Sequence, residues 1–359
     1  MFGKFFSKIT IYDKYIFKQV TFATLGAIFL FTVIWIAPEM LLNTIRKVLE
    51  GEYSTKTGLL VLFYELPNIL GKGLPVGLLL GSLFTFDRLS KNSEVTIFRA
   101  VGLSFKRIIV PVIALSLLVT CFCFMTYDKF IPFASDKLMN IRREYHPSQY
   151  VYTQKNDDGT PRITIVISRF NYSNISNIIV LNFSNNKYKD LHALSNIYVA
   201  KHADVEKDKW VLSDITYYNV SENGVFNEIG HKKKIEILQG ESAQNAYTLM
   251  LNSLKKDRAI TNSDLKEYTQ LLKQEGVDEE YRLMLNKYYQ RFTHPFVCIL
   301  LAIMGCLLGF SKPREQRLIG FTIAIGTIFL YYITLPFFDL LAEKNVLSPL
   351  LTATIPPLA

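Results

Sequence analysis

A chain of 359 residues, half of them hydrophobic and with 26 Phe and 20 Tyr, has room for two or three domains. Its formal net charge of +9 invites a nucleic-acid reading, but the lysines and arginines flank apolar runs. A membrane topology accounts for much of that excess, and nucleic acid is set aside as a partner.

The apolar residues gather at both ends of the chain and leave a polar middle over about 129–291, the pattern of a membrane protein with one inserted soluble domain. The four cysteines, Cys121, Cys123, Cys298 and Cys306, lie in the apolar ends, so no disulfide framework is written here. No His or Asp joins them at ligand spacing, and no metal site is expected.

In chain order, the basic, aromatic amino terminus lacks a small-residue cleavage site and reads as an uncleaved amphipathic lead-in. Span one is expected over about 20–40, with Pro38 and Glu39 near its outer end. A loop over 41–66 follows, carrying Arg46, Lys47 and Lys56. Span two ends at Phe86, and the roughly 20 residues that a hydrocarbon core requires put its start near Pro67. Gly73, Gly77 and Gly81 recur at every fourth position, on one helix face where another helix can approach closely. Lys72 lies inside this span; it snorkels to the interface, serves a function, or pairs with Glu65 on the same face.

The stretch 87–107 between spans two and three is short and basic, with Arg88, Lys91, Arg99, Lys106 and Arg107 against Asp87 and Glu94. Such a loop belongs on the cytoplasmic side. Leu89, Val95, Phe98 and Val101 have helical spacing, with start signals from Ser90 and a stop at Gly102. A short helix lying across the inner membrane face is expected, either a docking element or a solvated connector. Span three follows over about 108–125, exits through Tyr127-Asp128-Lys129, and leads to Arg142 and Arg143.

The middle, about 150–239, reads as β-structure. Strands are expected over 162–170, 177–183, 196–206, 209–220 and 233–238, separated by turns at 156–159, 185–186 and 222–224, which suggests a sandwich or roll. Helical spacing returns over 263–289 and leads into span four, 292–310, where Gly305 and Gly309 form a second close-packing pair. A basic loop at 311–317 precedes span five, 318–341. The apolar stretch 347–359 has 13 residues, about 20 Å as a helix, too short to cross alone. The proposed inner segments hold twelve Lys/Arg (four in the amino terminus, five in 87–107, three in 311–317) against four in the outer short loops. The amino terminus is therefore expected in the cytoplasm and the β-domain outside.

Catalytic signatures are missing. There is no phosphate-cradling P-loop, no G-x-S-x-G and no H-E-x-x-H, and the five histidines are scattered. Glu39, Glu65 and Asp339 lie near span ends, so an intramembrane enzyme is disfavoured.

The chain resembles the LptF/LptG (YjgP/YjgQ) lipopolysaccharide export permeases over nearly its whole length. The likeness is carried by Leu74-Pro75, Arg88-Leu89, Ser93-Glu94 and Arg99 to Ser104, by Tyr289 to Phe292 with Pro295, Gly305, Leu308-Gly309, Arg317, Gly320 and Tyr331-Tyr332, and by Trp210 to Leu212. The resemblance implies an α-helical polytopic membrane protein of about six spans, the last short or truncated, with an inserted periplasmic β-jellyroll-like domain. The division expected is a membrane half over 1–130, the β-rich domain over 131–260, and a lead-in helix with the second membrane half over 261–359. It further implies a second permease of the same type, a cytoplasmic ABC ATPase dimer that uses the ATP and Mg, a periplasmic bridge protein of the LptC/LptA type, and lipopolysaccharide as cargo. The chain itself is then a non-catalytic subunit of the bacterial inner membrane that binds no cofactor.

By that resemblance the helix within 87–107 couples to the ATPase through Glu94, with Arg88 and Arg99 beside it. From position and charge, Lys72, Arg46, Lys47, Arg142 and Arg143 are candidates for a phosphorylated lipid headgroup, with membrane anchoring as the alternative for each. The rival reading is a mechanotransmission subunit whose spans pass no lipid. An apolar interior in the outer domain favours transport, and a polar one favours the rival.

Overall fold

The computed structural model describes residues 10–36, 40–145, 148–156, 160–171, 174–184, 193–205, 209–221, 225–255, 257–310 and 318–358. The expected lead-in up to residue 9, the turns at 157–159, 185–186 and 222–224, Pro38, Glu39 and the basic loop 311–317 lie outside them. Contacts divide the chain into two compact units, Met1–Ser135 with Arg282–Ala359, and Asp136–Tyr281.

The first unit is helical. Its amino-terminal part holds α1 (Ile11–Ile36), α2 (Leu42–Leu49), α3 (Thr55–Lys91), α4 (Glu94–Ala100) and α5 (Phe105–Met125). A π-helical turn, Thr126–Phe130, joins α5 to α6 (Ile131–Tyr145) without a break. Later in the chain come α9 (Asp278–Gly309), α10 (Leu318–Glu343) and α11 (Pro349–Leu358). Among the described residues five helices are long and apolar enough to cross a membrane: Ile11–Ile36, Thr55–Lys91, Phe105–Arg142, Asp278–Gly309 and Ile319–Glu343. The 10 residues of α11 span about 15 Å, half of a hydrocarbon core.

Several boundaries differ from the expectation. The segment 41–66 is not a loop: it forms α2 and the first turns of α3. Ser54 starts α3 by accepting the Thr57 N–H at 3.2 Å, and Val61, Glu65 and Ile69 then bury one face at four-residue spacing. Pro67 and Pro75 lie inside α3, which still runs 37 residues, about 55 Å and longer than the hydrocarbon core is thick. Ser90 does not start the next helix; it is buried in the last turn of α3, its hydroxyl 3.5 Å from the Gly309 carbonyl. The chain reverses at Ser93 instead, whose φ of +62° is left-handed, and α4 begins at Glu94. Span three does not exit at Asp128, because the helix continues past it. The stretch 263–289 is two helices, broken at Gly276 with φ +67°.

The unit's core centres on α3. Its span is 78 % buried within the chain, against 17 % for α1 and 11 % for α10. Ile16 and Val20 of α1, Phe86 and Leu89 of α3, Ile108 and Val112 of α5, and Cys298, Ala302 and Cys306 of α9 form one cluster. Leu79 and Leu83 on another face of α3 meet Val297 and Leu301 of α9 and Ala324 and Tyr331 of α10.

The second unit holds one six-stranded antiparallel sheet whose strands are joined in chain order. They are β1 (Ser148–Lys155), β2 (Pro161–Asn171), β3 (Asn174–Ser184), β4 (Ala193–Val205), β5 (Lys209–Val220) and β6 (Phe226–Gln239). β1 was not among the expected strands. The helices α7 (Gly240–Leu254) and α8 (Asn262–Gln274) follow, with a short 3-10 turn at Asp257–Ala259 between them. Helix α7 was also missed by the sequence reading; it buries Ala243, Ala246, Leu249 and Met250.

The sheet's inner face is Ile165, Ile167, Ile178, Val180, Ala200, Trp210, Leu212 and Ile215, each at most 1 % exposed. Ordinary strands turn alternate residues inward. Here the inward spacing stretches to three on adjacent strands, from Ile175 to Ile178, Ala200 to Ala203 and Leu212 to Ile215. These residues pair across the ladder as Ile178 with Ala200 with Ile215, and Ile175 with Ala203 with Leu212. Between the two rows lie Asn177 (φ +56°) and Asp214 (φ +53°), both left-handed, with Lys201 between them. Because neighbouring strands step at the same row, the register survives and the sheet creases along a line. α7 packs against β5, β6 and β1, so both edge strands of the curved sheet reach one helix.

Left-handed backbone disfavours β-branched residues by roughly 1–2 kcal/mol or more. Asp214 also pairs with Lys201 at 2.8 Å, but both side chains are exposed and such pairs contribute little. Asp214→Val is expected to lower the thermal unfolding temperature of the detergent-solubilised chain, while Asp214→Asn leaves it near wild type. Equal losses in both variants would assign the effect to the ion pair and not to the backbone.

Candidate functional site

Helix α4 has only seven residues, and its two faces differ sharply. Val95 is buried in the cluster with Ile16, Phe86, Leu89 and Ile108, and Phe98 packs against that cluster. On the other side Ile97 and Val101 are exposed, Val101 to 78 %, beside the exposed Arg99; Arg88 is exposed one turn before the end of α3. Glu94 sits at the first position, where a carboxylate is favoured by the helix dipole. Tyr15 donates its hydroxyl to Glu94 Oε2 at 2.9 Å, and Asn92 donates its amide to Oε1 at 3.2 Å. The carboxylate is oriented, and a charged acceptor of this kind forms strong hydrogen bonds with an incoming donor. An oriented carboxylate, two exposed arginines and two exposed aliphatic side chains can together take up a mixed polar and apolar surface.

The seat of α4 is built partly by residues that the sequence reading did not single out. The Arg107 guanidinium forks onto Asp13, Nη1 to Oδ1 at 2.8 Å and Nη2 to Oδ2 at 2.7 Å. Asp13 also accepts the Thr10 N–H at 3.0 Å and the Thr10 hydroxyl at 2.6 Å, so it caps the start of α1 as well. Arg107 lies 4.9 Å over the Tyr12 ring, and Tyr12 meets Phe98 of α4 at 6.0 Å between ring centres. A pair separated by 94 residues leaves no spacing signal; the only hint is an acid and a base in the first turns of two apolar helices.

The glycines lie where backbones approach. A Cβ on Gly73 would sit 2.9 Å from Phe31 Cδ1, and one on Gly81 would sit 2.6 Å from both the N and Cα of Thr24. Gly77 faces Ile28 and the Thr24 carbonyl. From α9, Gly305 abuts the Leu79 carbonyl and lies, by the same measure, 2.9 Å from Ser82 Cβ, while Gly309 abuts the Leu83 carbonyl and the Phe86 Cβ at 2.9 Å. Two glycine sets on different helices thus bring α1 and α9 onto the backbone and side chains of α3.

The five basic candidates are spread out. Arg46 on α2 is exposed and pairs with Glu50 at 2.8 Å. Lys47 reaches Glu52 at 3.5 Å and lies 5.0 Å over Tyr53. Lys72 on α3 lies 5.2 Å over the Trp35 ring, and its carbonyl accepts the Tyr332 hydroxyl at 2.6 Å. Arg142 belongs to the other compact unit, and the Arg143 side chain lies outside the described residues. Within the helical unit, therefore, three of the five are placed, on two helices.

A denser polar cluster lies near the end of α10. Asp339 accepts hydrogen bonds from Asn286 Nδ2 at 2.8 Å and Gln290 Nε2 at 2.8 Å and pairs with Lys287, all three on α9. Asn286 is fully buried and accepts the Thr352 hydroxyl of α11 at 2.9 Å; Thr293 donates to the Ala353 carbonyl at 2.9 Å. One carboxylate therefore organises α9, α10 and α11. His294, on α9, meets the Tyr331 hydroxyl at 2.8 Å from Nδ1 and faces Tyr127. Among the described residues no group of three or more His, Cys, Asp or Glu could hold a metal.

The family described as "Lipopolysaccharide export system permease LptF/LptG" matches residues 14–359. A search of curated proteins returned no match.

Two outcomes follow from this packing. Gly81→Leu and Gly305→Leu should each lower the thermal stability of the detergent-solubilised chain strongly, whereas Gly26→Leu, with nothing within 4 Å of its Cβ position, should not. Asp339→Leu, which strands the Lys287 ammonium and two amides, should destabilise by roughly 2–4 kcal/mol. Adding Lys287→Met should recover part of that loss, and no recovery would mean that the pair does not couple α9 to α10.

Proposed function

The chain belongs to the LptF/LptG family of lipopolysaccharide export permeases, and on that premise we propose that it is a membrane subunit of an ABC transporter that extracts lipopolysaccharide from the inner membrane. Another chain supplies the hydrolysis of ATP with Mg. A second permease of the same type completes the membrane portion, and a periplasmic bridge receives the lipid. The amino terminus is cytoplasmic and the sheet-bearing unit periplasmic, in keeping with the distribution of Lys and Arg over the short loops.

The observation that carries the ATPase partnership is α4. It is a short helix between two long apolar ones, seated on a buried face, with Glu94 oriented by two donors and Arg88, Arg99, Ile97 and Val101 exposed. In this reading Glu94 docks to the ATPase through charge-assisted hydrogen bonds, and the flanking arginines fix the register. The inner face of the sheet, from Ile165 to Ile215, is apolar, in keeping with lipid transfer rather than a mechanotransmission role without lipid. Lys72, Arg46, Lys47, Arg142 and Arg143 remain the candidates for phosphate contacts; replacing all five with Gln should weaken lipid binding, and unchanged binding would remove them from that role.

The deciding experiment is gentle purification of the tagged chain from its native membranes, beside Glu94→Ala, with mass spectrometry of copurifying chains. The expected outcome is an ABC ATPase and a second permease with wild type, and roughly tenfold less ATPase with Glu94→Ala, the loss expected of one charged hydrogen bond. Absence of any ATPase with wild type, under conditions that preserve other ABC complexes, would defeat the proposal.

A further inference from the structure

Helix α4 is bounded by two tight turns, Ser93 at φ +62° and Gly102 at φ +91°. Seven residues between two turns are poorly suited to push a long helix, because the turns can absorb the motion. Yet α4 is not held by its neighbours in sequence alone. Two side-chain contacts bind it to the first turns of α1, Tyr15 to Glu94 at 2.9 Å and Tyr12 to Phe98 at 6.0 Å between rings, and Ile16 and Val95 belong to one buried cluster. The Asp13–Arg107 fork then fixes those same turns of α1 to the first turn of α5, where Arg107 lies seven residues beyond the end of α4. Asp13 is 13 % and Arg107 33 % exposed, so this pair is better shielded from water than Arg46–Glu50.

Farther along, α1 is held differently. Its buried residues are Ile16, Val20, Thr24 and Ala27, all in its first seventeen positions, while Phe29, Leu30, Val33 and Ile34 are exposed. Beyond them Ile28 and Phe31 lie against Gly77 and Gly73 of α3, so a displacement at the clamp passes along α1 into that close contact.

We propose that the first two turns of α1 and helix α4 move as one body, and that Asp13 and Arg107 are the positioning pair that carries a displacement of α4 into the first span. The proposal rests on the reading of α4 as the ATPase-docking helix and adds where the docking force goes. In this proposal the fork acts by keeping the seat of α4 rigid, and not by contact with the ATPase or the lipid.

The test uses the complete complex from native membranes, reconstituted in nanodiscs with lipopolysaccharide as the probe. Three quantities are read: ATPase retained, ATP hydrolysed, and lipid released. With Asp13→Asn the ATPase should stay bound and hydrolysis should stay within about twofold of wild type, while lipid release falls about tenfold, inside the usual range of coupling between sites. Asp13→Glu, which keeps the charge and the cap, should restore most of the release. If Asp13→Asn does not yield a folded chain, Tyr12→Leu leaves the cap intact and should show the same split. Wild-type release in folded Asp13→Asn and Arg107→Gln overturns the proposal and leaves the docking reading standing. A parallel fall in all three quantities also overturns it, since that is what a merely structural role produces. Wild type that retains no ATPase defeats the docking reading, and the proposal with it.

Discussion

In hydrocarbon an apolar helix gains little by exchanging lipid for another apolar helix, so association depends on how closely backbones can approach. Helix α3 meets that constraint from two sides. Gly73, Gly77 and Gly81 admit Phe31, Ile28 and the Thr24 backbone of α1, and Gly305 and Gly309 of α9 lie on the Leu79 and Leu83 carbonyls. The rest of the helical unit is arranged around that seam. The cluster of Phe86, Leu89, Ile108 and Cys298 fills one side of α3, and that of Leu79, Leu83 and Tyr331 the other.

Close backbone contact alone does not fix angle or register, and at two places charge does so. At one end of α1 the Asp13–Arg107 fork joins α1 to α5. Near the end of α10, Asp339 gathers Asn286, Lys287 and Gln290, and Asn286 passes the connection to Thr352 of α11. Charged groups in spans are costly unless paired, and Asp13 and Asp339 are each paired across helices. Such pairs define which helix ends belong together, a role that glycine contacts, being non-directional, do not fill.

The sheet-bearing unit solves a different problem. A flat six-stranded sheet would leave an apolar face open. The row of left-handed residues at Asn177 and Asp214 changes the inward side of adjacent strands at once, so the sheet bends without losing a ladder pairing on either side of the row. α7 then meets β1 and β6 together.

Much of this was legible in the sequence. Five apolar runs, the polar middle, the glycine spacing on span two and the short basic stretch around Glu94 follow from period, length and charge, which are local properties of the chain. Local properties misplaced the boundaries: the segment 41–66 read as a loop because its charges mask the four-residue spacing of Val61, Glu65 and Ile69, and the start of α4 was assigned to Ser90 because a serine signals a cap only when it is free to leave the preceding helix. The crease escaped for a related reason, since a left-handed Asn or Asp within a strand has no composition of its own. What only the tertiary structure decided is which distant residues meet. Asp13 with Arg107, Tyr15 with Glu94 and Asp339 with Asn286 are separated by 94, 79 and 53 positions. No periodicity links such pairs; they are joined because the close packing of α1, α5, α9 and α10 around α3 brings them within reach of one another.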